Sequence, residues 1–191
     1  GHRGDGVAET RDGPLYAPWT LPGETVRGRA AAGRLVEAEI LSPSPERIAP
    51  ACPHFGRCGG CALQHASDAF LAEWKTDLVA AALRARGLSA EIRPIRVSPP
   101  GSRRRVALSA RRAGGRVLLG FHARADDRIV PVETCPVAHP EITAALPALR
   151  RREALRIAVT RTEAGLDVAL SRAAPLDAAL SARLGAEAEA A

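Results

Sequence analysis

Short segments of alternating apolar and polar residues occupy the first part of the chain. The alternation has the two-residue period of a half-buried β-strand, and turn-forming Gly and Pro residues separate the segments. Residues 25–29 and 35–40 show the alternation, and residues 7–9 and 15–17 are candidate strands because they flank the turn at residues 12–14. Several short strands at this spacing predict a small, OB-like β-barrel, and the Pro-rich residues 42–45 predict a linker after it.

A helical period replaces the alternation after residue 66. Apolar residues recur at intervals of three and four: Leu71, Trp74, Leu78 and Ala82. Ser67 or Asp68 can cap the first turn, and Gly87 can end the helix. The pattern therefore predicts one helix between the cap and that glycine, with a single apolar face.

Two β-hairpins are predicted in the rest of the chain. The first joins residues 106–110 to 117–121 through Gly114-Gly115, and the second joins 155–160 to 166–170 over a Gly-containing turn. The helical segments predicted there are Pro140 to about Arg151 and an Ala-rich tail from Asp177. Strands and helices in separate runs predict an α+β fold.

The predicted elements divide the chain into three regions. Residues 1–45 form the barrel, residues 46–66 a cysteine loop, and residues 67–191 a mixed α/β central domain. The chain starts at Gly1 and contains no methionine, so we expect a clipped start and an incomplete central domain. No apolar run approaches the roughly 18 residues that a membrane span needs.

Positive charge is concentrated in the middle of the chain. The net charge is +6, with apolar and charged fractions of 46% and 25% that are ordinary for a globular protein. Residues 93–128 hold ten arginines and two acids, a local charge of +8, whereas residues 1–50 have a local charge of −1. A basic stretch of this kind favours an anionic partner such as nucleic acid.

All four cysteines of the chain fit one ligand set. Cys52, Cys58 and Cys61 lie close together, and Cys135 follows after 73 further residues. In the sequence CGGC at residues 58–61, the spacing lets both thiolates reach one metal centre. The glycines between them lack a Cβ, so backbone N–H groups can approach the sulfur atoms.

Three kinds of site are compatible with these cysteines. Disulfides are one, although a C-x2-C pair bridges itself poorly and cytosolic thiols stay reduced. Structural zinc normally takes its four ligands from two paired knuckles, and here the second knuckle is reduced to Cys135. An iron–sulfur cluster takes four thiolates, commonly three close together and one remote. His54 and His65 lie nearby as further possible ligands.

The cysteine segment carries a family resemblance. Residues 52–65 (CPHFGRCGGCALQH) resemble the cluster signature of the RNA uracil-C5 methyltransferases. Residues 4–8 and 21–24 resemble the TRAM domain of that family, a small RNA-binding β-barrel. Further segments that resemble the family are residues 102–105, 119–122 and 129–136. The resemblance therefore runs in order along the whole chain.

The resemblance implies cofactors and a reaction. It implies a [4Fe-4S] cluster bound by Cys52, Cys58, Cys61 and Cys135. The family's enzymes transfer a methyl group from S-adenosylmethionine to C5 of a uridine, with a cysteine nucleophile in a carboxy-terminal Rossmann-like domain. This sequence has no Gly-rich cofactor loop and no fifth cysteine, so we expect no catalytic residue and no S-adenosylmethionine site in it. By itself the chain is expected to be inactive.

Seven residues are candidate RNA contacts. The arginines are Arg103, Arg104, Arg105, Arg111 and Arg112, and the aromatic residues are Tyr16 and Trp19. Strand alternation predicts that Arg103 and Arg105 share one face and that Arg104 lies on the other. Exposed aromatic rings can stack on bases. The alternative for the arginines is a solvated basic edge that discourages strand pairing.

Several functions compete for this sequence. Barrel and cluster together resemble the members that act on 23S ribosomal RNA, which predicts the amino-terminal, RNA-recognising portion of such an enzyme, monomeric and cytoplasmic. A stand-alone RNA-binding iron–sulfur module and a tRNA uracil-C5 methyltransferase are the alternatives. An electron-transfer iron–sulfur protein would need no RNA affinity, and the placement of the arginines argues against it. A zinc protein is the last alternative, and the lone Cys135 disfavours it.

Overall fold

The structure, a computed structural model, describes residues 1–150 and 154–173. The chain folds as two compact units, and each is described by itself. The first unit comprises Gly1–Gly56 and Cys61–Ser98, and the second comprises Arg57–Gly60 and Pro99–Ala191. Strands and helices lie in separate runs, which confirms the α+β class. In the described part of the chain, no helix is long and apolar enough to cross a membrane.

The first unit contains a four-stranded sheet. Its strands are β1 (Gly6–Thr10), β2 (Gly13–Ala17), β3 (Thr25–Ala31) and β4 (Arg34–Ser42), in the order β1-β2-β4-β3. The four predicted strands are all present. β1 and β2 form one antiparallel hairpin and β3 and β4 another, and a single parallel rung between Tyr16 and Arg34 joins the two hairpins.

The sequence predicts a small β-barrel for residues 1–45, but the described strands form an open sheet and not a closed barrel. The outer strands of the sheet are β1 and β3, and these do not pair with each other in the described residues. Two irregularities interrupt the register between β3 and β4. Alternation along a strand shows which residues are half-buried, but closure depends on strand number and stagger, which alternation does not encode.

The predicted helix after residue 66 is confirmed as α1 (Asp68–Arg84). The Ser67 hydroxyl accepts a hydrogen bond from the Phe70 N–H at 3.1 Å, the contact of an N-terminal cap. Gly87 follows the last turn with a φ of +67°, a conformation that glycine adopts without strain. None of the residues of α1 is fully buried, so the helix packs by one half-buried face.

The first unit buries as many polar residues as apolar ones. Its buried apolar residues are Ala17, Leu21, Leu35 and Ala66, and its buried polar residues are Asp5, Thr20, Ser44 and His65. A nearby ion pair joins Glu24, whose side chain is 0% exposed, to Arg47. The Arg47 guanidinium donates to the Glu24 carboxylate at 2.7 Å and to the Trp19 carbonyl oxygen at 2.9 Å. A charged network therefore stabilises a unit whose apolar core is small.

The second unit contains a five-stranded sheet and one helix. Its elements are β5 (Arg105–Ala113), β6 (Arg116–His122), β7 (Ile129–Pro131), α2 (Pro140–Leu149), β8 (Ala154–Thr162) and β9 (Gly165–Ala173). The strand order is β7-β6-β5-β8-β9, with every pairing antiparallel. Both predicted hairpins are confirmed, and Gly114 and Gly115 turn the first one with φ values of 56° and 76°. The predicted tail helix from Asp177 lies outside the described residues.

The core of the second unit lies between α2 and one face of the sheet. Its buried residues include Val106, Leu108 and Ala110 of β5, Leu119 of β6, Ile157 and Val159 of β8, and Ile142, Leu146 and Leu149 of α2. Successive side chains of a strand point to opposite faces, so the residues between these, such as Ala107, lie on the other face. Ala107 is exposed there.

Candidate metal centre and nucleic-acid interface

The four cysteines are divided equally between the two units. Cys52 and Cys61 belong to the first unit, and Cys58 and Cys135 belong to the second. All four are half-buried and none forms a disulfide. Taken by itself, each unit thus offers two thiols. Consistent with this division, the described residues contain no group of three or more His, Cys, Asp or Glu side chains placed to hold a metal ion.

The CGGC knuckle pairs with the end of β6 inside the second unit. Cys58 forms an antiparallel bridge with Ala123, and the Gly59 N–H donates to the His122 carbonyl oxygen at 2.8 Å. The Gly60 N–H points to the Cys58 Sγ at 3.4 Å. An N–H donor to a cysteine sulfur is a contact that stabilises thiolate ligands. The approach expected of the glycine N–H groups is therefore present at Gly60.

Gly59 is the position of the knuckle that tolerates no side chain. A Cβ there would lie 2.8 Å from the His122 carbonyl oxygen, whereas a Cβ at Gly60 would meet the Cys58 Sγ at 3.4 Å. We expect Gly59→Ala to lower the free energy of unfolding by about 1–3 kcal/mol, because backbone must move to relieve the overlap. Gly60→Ala, the matched control, should change it by less than about 1 kcal/mol. Urea denaturation measures both, and equal losses would contradict the pairing of the knuckle with β6.

Backbone hydrogen bonds close the base of the cysteine loop in the first unit. The Ile48 N–H donates to the His65 carbonyl oxygen and the Ser67 N–H to the Glu46 carbonyl oxygen, both at 2.9 Å. Within the loop, the Cys52 N–H donates to the Gln64 Oε1 at 3.1 Å. Cys52 is therefore held by a side chain from the opposite end of the loop.

Two histidines within the cysteine loop have buried ring nitrogens. His65 is 1% exposed, and its ring lies 5.4 Å from the Phe55 ring, centroid to centroid. Burial, followed by the positive charge of Arg47, lowers the pKa of His65. Both ring nitrogens of His54 and of His65 are buried without a hydrogen-bond partner in the described part of the chain. Neither residue is joined with cysteines in a three-ligand group.

Cys135 borders the apolar core of the second unit. Like Phe121 and Val117, it is partly buried and packs against the cluster of buried residues. The Ala138 N–H donates to the Cys135 carbonyl oxygen at 3.1 Å, which places this thiol in a tight turn before α2. The lone cysteine is thus held by a packed scaffold.

The seven candidate RNA contacts fall in both units. Tyr16, on β2, is 41% exposed, and Trp19 is half-buried with a φ of +57°. The five arginines belong to the second unit and are all exposed: Arg103, Arg104, Arg105, Arg111 and Arg112. Arg105, Arg111 and Arg112 lie on β5, and the two others precede it.

One pair of polar side chains in this region was not expected from the sequence. The Ser109 Oγ lies 2.8 Å from the His122 Nε2, and the His122 Nδ1 lies 3.1 Å from the Asp127 carbonyl oxygen. A carbonyl oxygen can only accept, so the Nδ1 carries a hydrogen and donates it. Only the register of β5 against β6 brings Ser109 and His122 together.

Comparison with known proteins identifies the family. No family model matches the chain. It is 48% identical over 180 residues to a protein of Caulobacter vibrioides named as an uncharacterized RNA methyltransferase, covering 88% of this chain and 43% of that protein. It is 35% identical over 161 residues to the 23S rRNA (uracil(1939)-C(5))-methyltransferase RlmD of Alkalilimnicola ehrlichii, covering 78% of this chain and 36% of that enzyme. The chain belongs to the RNA uracil-C5 methyltransferase family.

A solved structure of this family supports the fold. The tRNA (uracil-54, C5)-methyltransferase of Pyrococcus abyssi, determined with S-adenosyl-L-homocysteine, matches with a TM-score of 0.54 and 20% identity. The match covers 88% of this chain and 45% of that enzyme. The chain therefore spans under half the length of the family members that it matches.

Proposed function

We propose that the chain is the RNA-recognition and [4Fe-4S]-binding portion of an S-adenosylmethionine-dependent RNA uracil-C5 methyltransferase that acts on 23S ribosomal RNA. The observation that carries the proposal is the 35% identity to a 23S rRNA uracil-C5 methyltransferase over 161 residues. A cytoplasmic location follows from an RNA substrate of this kind, and a monomeric state remains a prediction.

The donor set supports a cluster bound by Cys52, Cys58, Cys61 and Cys135. Four half-buried thiols without a disulfide are present, and one of them already receives a backbone N–H. Four thiolates are the ligands of a [4Fe-4S] cluster, although the same set also suits zinc. When bound, the cluster would tie together chain segments that are far apart in sequence, a structural role. A protein that holds an iron–sulfur cluster and one that holds zinc differ in their iron and sulfide content.

A tRNA substrate is the second candidate. The observation that favours it is the fold shared with an archaeal tRNA uracil-C5 methyltransferase. We favour ribosomal RNA because the identity to the ribosomal enzyme is 35% and that to the tRNA enzyme is 20%. A stand-alone RNA-binding module would bind RNA equally well and would be encoded without a methyltransferase domain.

Methylation assays separate these possibilities. The full product of the encoding gene, incubated with S-adenosylmethionine and 23S rRNA, should form 5-methyluridine, whereas a tRNA transcript should not be modified. The 191-residue chain should give none with either RNA, because it contains no Gly-rich cofactor loop and no cysteine beyond the proposed ligands. Mass spectrometry of nucleosides measures the product. Methylation by the chain alone would show that the nucleophile and cofactor site lie within it.

A further inference from the structure

The second unit has one sheet face that its described residues leave uncovered. We call this the open face; it consists of the residues of β5, β6, β8 and β9 that alternate with the buried core residues. The registers Arg105–Thr160, Ser109–Gly120 and Arg111–Leu118 place these residues side by side on it. Ala107 of β5 and Ala169 of β9 are exposed at its floor. Opposite them, the other face is covered by α2.

Positive charge dominates the open face. It carries the four exposed arginines Arg105, Arg111, Arg116 and Arg156, and its one acid is Asp167 on β9. Each of the four guanidinium groups lacks a hydrogen-bonded or ionic partner among the residues that the structure describes. The face therefore offers charge that the second unit itself does not neutralise.

Two arginines on the helix side of the same unit are paired with acids. Arg161 contacts Glu141 of α2 at 3.3 Å, and Arg150 contacts Glu133 at 3.7 Å. If the excess of arginine reflected only a compositional bias, acids would be expected to pair with the arginines of the open face as well as with those of the helix side. Acids instead accompany two of the arginines on the helix side, whereas the open face carries Asp167 alone. This segregation indicates an anionic partner for the open face.

The Ser109–His122 pair lies on the open face beside the arginines. His122 is exposed, yet both of its ring nitrogens are engaged, one by Ser109 at 2.8 Å and the other by the Asp127 carbonyl oxygen at 3.1 Å. A ring that is fixed before binding loses little conformational entropy when a base stacks on it. The floor between the arginines includes the small residues Ala107, Ser109 and Ala169, so a nucleic-acid backbone can lie close to the sheet there.

We propose that the open face binds the sugar-phosphate backbone of RNA, with Arg105, Arg111, Arg116 and Arg156 contacting phosphates and His122 stacking against a base. This inference rests on the proposed function, and it divides the arginines of β5 and of the residue directly before it into two sets. Arg105 and Arg111 bind RNA, whereas Arg104 and Arg112, which alternate with them on the helix side, do not.

The experiment compares two double variants of the 191-residue chain. Arg105→Ala with Arg111→Ala removes two charges from the open face, and Arg104→Ala with Arg112→Ala removes two from the opposite face. Binding to a single-stranded, uridine-containing RNA is measured by fluorescence anisotropy at several salt concentrations. Thermal melting by circular dichroism checks that both variants are folded, and ultraviolet cross-linking with peptide mapping locates the bound RNA.

The open-face variant should bind roughly 25-fold more weakly at 0.1 M salt, since each lost phosphate contact costs about fivefold there. Its slope of log K against log salt should shrink by about 1.4, and the control variant should bind like the wild type. Cross-links should map to β5 and β6. The inference would be overturned if the two folded variants bound RNA with equal affinity and salt dependence, or if the cross-links were confined to other segments. Either result would leave the proposed function standing. A wild-type chain that binds no RNA would overturn both.

Discussion

Replacing Arg47 by alanine is expected to lower the free energy of unfolding of the first unit by about 3–5 kcal/mol, the cost of leaving a buried charge without its partner. The Glu24 side chain is 0% exposed, and Arg47 is its one ionic partner in the described residues. The same guanidinium holds the Trp19 carbonyl oxygen at 2.9 Å. Both tryptophans, Trp19 and Trp74, lie in this unit, so their fluorescence during urea denaturation measures the loss.

Arg27 provides the matched control. It forms the same kind of contact with Glu39 at 2.7 Å, but the two side chains are 69% and 60% exposed. An exposed ion pair contributes at most about 1 kcal/mol, so Arg27→Ala should change the stability little. If the two substitutions cost the same, the Arg47 network would not be what stabilises the first unit.

The dependence of stability on pH gives an independent test of the same network. Burial alone would raise the pKa of Glu24, but hydrogen bonds from Arg47 and from the N–H groups of Leu21 and Ser44, with the Arg47 charge, lower it from 4.5 to about 2. A carboxylate whose pKa is lower in the folded state stabilises the fold above pH 4.5, and that contribution, about 3 kcal/mol, is lost between pH 4.5 and about 2. Arg47→Ala should remove this acid loss.

The sequence predicted those parts of the fold that depend on local chemistry. The turn at residues 12–14 predicted the β1–β2 hairpin, and the alternation predicted β3 and β4 because a half-buried strand carries apolar side chains on one face. Gly114 and Gly115 predicted the turn of the β5–β6 hairpin because both adopt a positive φ there. Ser67 predicted the start of α1 because its hydroxyl can accept the Phe70 N–H.

The pairing of strands that are distant in sequence could not be predicted from the sequence, and it determines most of the candidate site. Nothing local shows that β1 and β3 stay apart, that Cys58 pairs with Ala123, or that Ser109 meets His122. Each of these depends on which strands become neighbours and in which register. The arginine-rich stretch was visible as charge, but its division between an open face and a helix-covered face required the register of β5. The assignment of the four cysteines to one cluster remains a prediction.

Anaerobically prepared protein is expected to be brown and to contain iron and inorganic sulfide in near-equal amounts, about four of each per chain. Cys58→Ser and Cys135→Ser should each abolish the colour and the bound iron, because hydroxyl groups replace thiolates poorly as iron ligands. Stability should fall as well, since metal binding contributes to folding free energy when the ligands come from distant segments. Absorption spectra, iron and sulfide analysis, and thermal melting measure these effects.

His54→Gln is the control for this experiment, because it changes a buried side chain of the same loop that the proposed cluster does not use. It should keep the iron and the sulfide. Loss of iron from this variant as complete as that from Cys58→Ser would show that His54 is a ligand and that the four-cysteine assignment is wrong. A colourless protein that holds one zinc ion after anaerobic reconstitution would contradict the cluster itself, since the same four thiolates also suit tetrahedral zinc. Sulfide content decides between the two, because an iron–sulfur cluster requires it and a zinc site contains none.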